Sequence, residues 1–355
     1  MKILVPDYYT DFKCKCGECR HCCCHGWGIT LSYEEYMRLL GIECSEKLRK
    51  KLDCAFFVLK DCDNERYAEV NMNYLGNCPL QSEDGYCALQ CECGEEVLPK
   101  ICRVYPRNTY YPVNGEGACA NSCEKVVEML FEEKNGLSFK EIEIKSKFNP
   151  EISDEILKIQ KEALGFLQNR NYSLNERLIM LGEYMKVNSD KKAYGVADFC
   201  GAILDTVSEI ENYSPSFSEY ASVVNGDFGE YGMNPEFFFK KYKEEKIAFI
   251  NNFPDYGICF ENVMNNHLFF ERFPTVNPGE TVKDKYMELC GVYAITFFVT
   301  VAYTYRHNLK NDFVDVIAGL FRCFEHSLAD SLIKSYLKRT GRYSYSFIKI
   351  LLLSV

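Results

Sequence analysis

Residues 14–27 read Cys14-Lys15-Cys16-Gly17-Glu18-Cys19-Arg20-His21-Cys22-Cys23-Cys24-His25-Gly26-Trp27. Three consecutive cysteines make a poor disulfide framework, because neighbouring Cβ atoms rarely reach the roughly 90° dihedral of an unstrained S–S bond. They are a dense thiolate source for a soft metal or an iron–sulfur cluster. Sixteen of the 20 cysteines fall within the first 123 residues. That region is rich in turns and poor in periodic apolar faces, and metal ligation supplies folding free energy to such a chain. The expected fold is therefore mainly α: a cysteine-rich, metal-stapled N-terminal region (1–125) packed on a multi-helix C-terminal body (126–355).

Outward from the cysteines, helix signals accumulate. Ser32 and Glu35 form a capping-box pair ahead of Tyr33, Met37 and Leu40, and Gly41 ends that helix. Asn149-Pro150 sets a cap before proline at the first helical position, with Ile152, Ile156, Ile159 and Ala163 along one face. Ser173 with Glu176, and Asn234-Pro235, open two more. Further helices are expected near 196–212, 256–271, 284–306, 310–328 and 343–353. No βαβ alternation and no repeat is visible.

The net charge of −10 is spread evenly, with 15 Lys+Arg against 19 Asp+Glu in residues 1–125 and 26 against 32 in the rest. No basic face emerges, so nucleic acid is not an expected partner. Lys240, Lys241, Lys243 and Lys246 alternate with Glu244 and Glu245 and read as a solvated helix face. Met1-Lys2-Ile3-Leu4-Val5-Pro6 is not a signal peptide, and a reducing cytoplasmic setting is expected. Disulfides are rare there, and cysteine clusters hold metal or do redox work. Leu289–Tyr305 runs 17 residues without a charge, against the about 20 apolar residues of a spanning helix. A buried core helix is expected, and peripheral membrane association stays open. Cys200, Cys259, Cys290 and Cys323 read as core cysteines.

The N-terminal cysteines form two groups. The first holds Cys14-x4-Cys19-x3-Cys23-Cys24 before His25-Gly26-Trp27. The second holds Cys78-Pro79-Leu80, Asp84-Gly85-Tyr86-Cys87 and Cys102-Arg103-Val104-Tyr105-Pro106-Arg107, with Cys123-Glu124 further on. This combination resembles the flagellin lysine N-methylase family and its cysteine-rich zinc- or iron-chelating relatives. The opening Pro6-Asp7-Tyr8-Tyr9-Thr10-Asp11-Phe12-Lys13-Cys14 is similar to that family's start, and Gly94-Glu95-Glu96-Val97-Leu98 to its segment ahead of Cys102. Glu261-Asn262-Val263 with Asn266 and Phe269-Phe270 resembles the family's Asn/Phe-rich segment. Phe324-Glu325-His326-Ser327 resembles its late Glu-His signature. The resemblance spans nearly the whole chain, and its most specific motifs lie in residues 6–27 and 78–107.

The resemblance implies transfer of methyl groups from S-adenosylmethionine to lysine side chains of flagellin, the expected protein partner, before its export. It also implies an oxygen-sensitive 4Fe–4S cluster, with zinc as the alternative metal. Cys14, Cys19, Cys23, Cys24, Cys78, Cys87, Cys102 and Cys123 occupy the family's recurrent cysteine positions and form the implied ligand pool. Such a pool fills one four-thiolate cluster with thiols left over, or two metal sites. Cys16, Cys22, Cys91, Cys93 and Cys119 depart from the family pattern as extra cysteines, and Cys123-Glu124-Lys125 stands where Cys-Pro-Glu is expected.

Read for their own chemistry, Arg103 and Arg107 are candidates to offset a negative thiolate centre or to bind a cofactor carboxylate; ordinary surface arginines are the alternative. Trp27, the single tryptophan, reads as a shield over the metal or an aromatic wall for a cofactor. His21 and His25 are alternative ligands among the thiolates. The C-x3-C-x2-C triad of radical chemistry is absent, because the third positions hold Gly26, Gly94 and Val126. Gly26-Trp27-Gly28 and Gly115-Glu116-Gly117 read as turns and not as a nucleotide loop. Methylating a lysine requires a neutral amine and a place for its proton. Tyr8, Tyr9, Tyr105 and His326 are the candidates to receive it, with plain packing as the alternative for each. A non-catalytic zinc- or iron-binding interaction module and a thiol or cluster redox protein are the rival functions.

Overall fold

Val5, Tyr8 and Tyr9 are buried, and the strand beside them comes from far downstream. β1 (Lys2–Pro6) pairs antiparallel with Phe139–Glu143, placing Ile3 opposite Ile142. The computed structural model describes residues 2–26, 28–107, 117–144, 154–187, 192–213, 217–231, 234–276, 278–307, 309–326 and 329–355. The chain divides into two units, Phe12–Arg107 and Met1–Asp11 with Asn108–Val355. The division falls at 107 and not at the expected 125, because β1 and the helix at 124 both belong to the helical body.

The cysteine-rich unit holds a three-stranded antiparallel sheet of β2 (Thr30–Leu31), β4 (Ala68–Val70) and β3 (Phe56–Val58), in that order. Around it lie α1 (Tyr33–Leu40), α2 (Glu46–Ala55), α3 (Ala88–Cys93) and α4 (Lys100–Val104). The Ser32–Glu35 capping box forms as expected. The unit also has an apolar core of its own, built from Leu31, Leu39, Leu48, Leu52, Ala55, Val70, Leu80, Leu89 and Leu98. Leu48 and Leu52 stand four residues apart on one face of α2. The region therefore has an apolar core of its own and does not rest on ligation alone.

The helical body adds α5 (Glu124–Glu132), β5 (Phe139–Glu143), α6 (Asp154–Leu167), α7 (Leu174–Tyr184) and α8 (Val196–Tyr213). It continues with α9 (Ser218–Phe228), α10 (Pro235–Asn252), α11 (Tyr256–Phe270) and α12 (Val282–Arg306). α13 (Lys310–His326), α14 (Ala329–Arg339) and α15 (Tyr345–Ser354) complete it. The Ser173–Glu176 capping box and the Asn234-Pro235 start both form. The start expected at Asn149-Pro150, with Ile152, lies outside the described residues. α12 is the axis of the body and packs against α9, α10, α13, α14 and α15. Its apolar stretch is long enough to cross a membrane, yet 94% of that stretch is covered by protein; it is the core helix the sequence suggested. Cys200, Cys259, Cys290 and Cys323 are buried there, as expected. The lysine run differs from expectation. Lys240 and Lys243 are exposed, but Lys241 is half-buried and pairs with the buried Glu245 at 3.0 Å. Lys246 is drawn in far enough for burial to push its pKa down.

Candidate active site

Within the cysteine-rich unit, backbone contacts sew the two cysteine groups together across more than 50 residues of sequence. The Cys78 amide donates to the Cys24 carbonyl at 2.8 Å, and Gly26 N donates to Gly76 O at 2.9 Å. Gln81 Nε2 donates to Cys22 Sγ at 3.0 Å, and His25 Nδ1 lies 2.9 Å from Asn77 Oδ1. Glycine permits the approach: a Cβ at Gly17 would stand 2.6 Å from the Asp84 carbonyl oxygen, and Gly85 holds φ +84° against Gly17.

The thiols report this crowding. Burial pushes the Cys102 thiol up strongly, and Cys23, Cys78 and Cys87 add to the push. Burial lifts Cys78 to about 11, with Cys87 and Cys22 contributing. Cys87 is raised by burial and then by Cys91 and Cys23. Cys14 rises to about 11, first through burial and then through Cys16 and Cys23. Cys24 is raised through hydrogen bonds with Cys22 and Cys23, then by burial. Thiolates that repel one another are a soft donor set that a cation would relieve. Among the described residues, however, no three His, Cys, Asp or Glu side chains close into a metal-holding group. The donor chemistry fits a metal or cluster, while the cage is not drawn shut.

The remaining candidates fall in different places. Cys19 caps the 3-10 turn Cys16–Glu18. Cys123 belongs to the helical body, at the N-terminal cap of α5, and not to the unit that holds the other seven. Arg103 pairs with Glu96 at 3.2 Å on the surface. Arg107 donates to the Phe12 carbonyl at 3.1 Å and lies over the Phe12 ring. It thus joins the two ends of the unit. Trp27 lies outside the described residues.

A second constellation forms inside the helical body. Cys119, Asn121 and Ser122 enter it from the turn before α5, and α11 and α13 wall it. The Tyr8 hydroxyl donates to Asn266 Oδ1 and accepts from the Cys119 amide at 3.3 Å. Asn266 Nδ2 donates to Cys119 O and Asn121 Oδ1, both at 2.7 Å. One turn back on α11, Asn262 Nδ2 donates to the Leu130 and Glu133 carbonyls at 2.8 Å. The Ser122 amide donates to Glu325 Oε2 at 3.2 Å, Glu325 Oε1 lies 3.3 Å from His267 Nδ1, and Ser122 Oγ lies 2.7 Å from His326 Nε2.

Burial sets the charge state of this junction. It pushes Glu325 well above the ordinary carboxylate range, Glu271 adding to the push against hydrogen bonds from Ser122 and Asn121. It lowers His267 to about 3, with Lys285 second. Burial thus works against charge on both partners of the Glu325–His267 contact. Burial and Arg322 lower His326 to about 4. His326 nevertheless keeps exposed surface, so water screens part of that push. The result is an imidazole held by Ser122 at 2.7 Å with part of its surface open to solvent.

Tyr8, Asn262, Asn266, Glu325 and His326 all stand in motifs that the sequence marked, and the structure unites them. Ser122, Asn121 and His267 were not marked. Their signal was available: nearly every residue from Cys259 to Phe269 is buried, and a helix that buries asparagine, histidine and glutamate must pair them.

Residues 186–351 match the FliB lysine N-methylase C-terminal domain. Over these residues, a little under half of its length, the chain is similar to that domain. Both walls of the polar junction, α11 and α13, lie inside the match, whereas Tyr8 and Ser122 lie outside it. The match thus falls where the sequence motifs were sparsest, beyond residue 124. A protein named lysine-N-methylase from Salmonella typhimurium strain LT2 is 27% identical over 141 residues, 39% of this chain and 35% of that protein. Its Salmonella choleraesuis counterpart gives the same figures. The flagellar biosynthetic protein FliU of Salmonella muenchen is 26% identical over 141 residues, 82% of its length. The chain therefore covers about a third of the two lysine-N-methylases. No solved structure matches it.

Proposed function

We propose that this protein is a protein-lysine N-methyltransferase of the cytoplasm that takes its methyl group from S-adenosylmethionine and modifies flagellin. The match of residues 186–351 to the lysine N-methylase domain carries this reading, and the flagellar name of one relative favours flagellin as substrate. S-adenosylmethionine supplies an electrophilic methyl group on a positively charged sulfur. The chain's own task is to present a lysine with a free lone pair. Lysine ammonium has a pKa of about 10.4, so its proton must leave before the nitrogen attacks. The exposed His326 imidazole is the acceptor, and Ser122 Oγ holds its Nε2 at 2.7 Å. The Glu325–His267 contact stands behind it, and burial opposes charge on both of its partners. Asn266, Asn121 and Tyr8 brace α11 against the turn that carries Ser122.

The cysteine-rich unit is proposed to hold an iron–sulfur cluster. Cys102 is pushed up by Cys23, Cys78 and Cys87, and these four are proposed as the four thiolates that a 4Fe–4S cluster takes. Cys14, Cys19 and Cys24 stand nearby in the sequence motif. The decisive experiment co-expresses the protein with flagellin and maps lysine masses by tandem mass spectrometry. Methylated flagellin lysines that disappear with His326→Ala support the reading. Unmodified flagellin beside folded, cluster-loaded protein overturns it.

A further inference from the structure

Away from the polar junction, the helical body encloses a cavity of about 590 Å³, within the roughly 300–1,000 Å³ range of small-molecule sites. Its lining comes from the turn before α7 and from α7, α10, α11, α12 and α15. One side is built around a buried acid. Glu261, 1% exposed, receives Arg170 Nε at 3.1 and 3.0 Å, Arg170 Nη2 at 2.8 Å and Arg177 Nη1 at 2.6 Å. Two guanidinium groups thus share one carboxylate and leave a net positive charge. Among the described residues, Arg170 Nη1 and Arg177 Nη2 have no hydrogen-bond partner, and both arginines line the cavity. Arg177 has only 9% of its side chain exposed. A desolvated guanidinium with a free fork nitrogen is built for a second carboxylate.

Four aromatic residues, Tyr256, Phe260, Tyr293 and Phe297, complete much of the lining, packed on one another with Phe260 5.0 Å and Tyr256 6.0 Å from Phe297, and Lys246 Nζ lies 5.4 Å over the Phe297 ring. Such faces accept a flat heteroaromatic ring or a desolvated cation. Lys246 also lines the cavity, where its Nζ donates to the Val355 carbonyl oxygen at 2.7 Å. The required ligand is small, with a carboxylate at one end and a planar base and a soft cation at the other.

We infer that this cavity receives S-adenosylmethionine, with Arg170 and Arg177 on the carboxylate of its amino-acid end and the four aromatic rings around its base and sulfonium. The inference rests on the methyltransferase reading above and adds where the donor is held. Helix α11 connects the two places, since Glu261 stands on the cavity and His267 in the polar junction. Six residues of helix separate them by about 9 Å along the axis.

Isothermal titration of the full-length protein with S-adenosylhomocysteine tests this without requiring turnover. Gly257→Trp is the plug. Gly257 lines the cavity, and a Cβ there meets nothing within 4 Å, so the variant is expected to fold and to melt like the parent. Arg170→Ala removes one carboxylate contact while Arg177 still holds Glu261. Weakening by at least about tenfold in each variant, or 1.4 kcal/mol, with unchanged melting supports the cavity. Parental binding with unaffected variants overturns the cavity and leaves S-adenosylmethionine as the donor. No binding of S-adenosylhomocysteine or S-adenosylmethionine to the parent overturns the donor reading and the cavity together. Photolabelling of the parent with an azido analogue locates the donor without relying on any variant to fold. Label on peptides 170–177 or 256–261 supports the cavity, and label elsewhere overturns it.

Discussion

The cysteine-rich unit and the polar junction of the helical body gather polar groups in opposite ways. In the first, thiols crowd against one another, and each raises the pKa of its neighbours. In the second, nearly every group has a hydrogen-bond partner, and burial disfavours charge on Glu325 and His267. A set of mutually repelling donors is one that a cation would relieve. A satisfied network is finished as folded and can hold a proton acceptor in a fixed place. The two regions therefore call for different experiments.

The largest effect is expected from the thiols. Anaerobically purified protein should contain about four irons and four sulfides per chain, and Cys102→Ser should lose nearly all of both. Cys123→Ser should retain them, because Cys123 belongs to the helical body. Equal loss in the two variants would break the division between the regions, and zinc without sulfide would replace the cluster by a structural metal. Next comes His326→Ala, which should slow flagellin methylation by about 10²–10⁴-fold, the range of a lost general base, at unchanged iron content. Single-turnover rates against pH would detect the missing acceptor.

Stability offers two further tests. Glu261→Ala leaves Arg177 buried without its partner and should cost about 3–5 kcal/mol, measured by urea unfolding. The junction should also write itself into the pH dependence. His267 titrates at about 3 when folded against 6.5 when unfolded. Its contribution is full above about pH 6.5 and drains as pH falls, by about 1.4 kcal/mol per unit. Glu325 acts with the opposite sign. Its folded pKa is raised above the ordinary 4.5, so its contribution is present below that value and drains as pH rises. Glu325→Gln should flatten the loss at high pH, and His267→Asn the loss at low pH. The smallest effect belongs to Arg103→Ala, since its pair with Glu96 is exposed and such pairs contribute about 0–1 kcal/mol. A large drop in iron content in that variant would restore Arg103 to the metal centre.

Many of the helices were legible because capping and periodicity are local. Ser32–Glu35, Ser173–Glu176 and Asn234-Pro235 all start helices where the residues demand it. α9 and α14 were not anticipated. Ile333, Tyr336 and Leu337 form the buried stripe of α14, too short to stand out among its lysines and serines. The apolar core of the cysteine-rich unit was also hidden, since Leu31, Leu52, Leu80 and Leu98 come from separate short elements.

By itself the sequence determined the element types, the two cysteine groups and the motifs around Tyr8, Asn262, Asn266, Glu325 and His326. These depend on residues a few positions apart, or on side-chain chemistry that no fold alters. Only the tertiary structure decided which of them meet. It put Cys24 against Cys78, Ser122 against Glu325 and His326, and Arg170 and Arg177 on Glu261. It also set the direction in which Glu325 and His267 are pushed, because desolvation exists only once the chain has closed around the group.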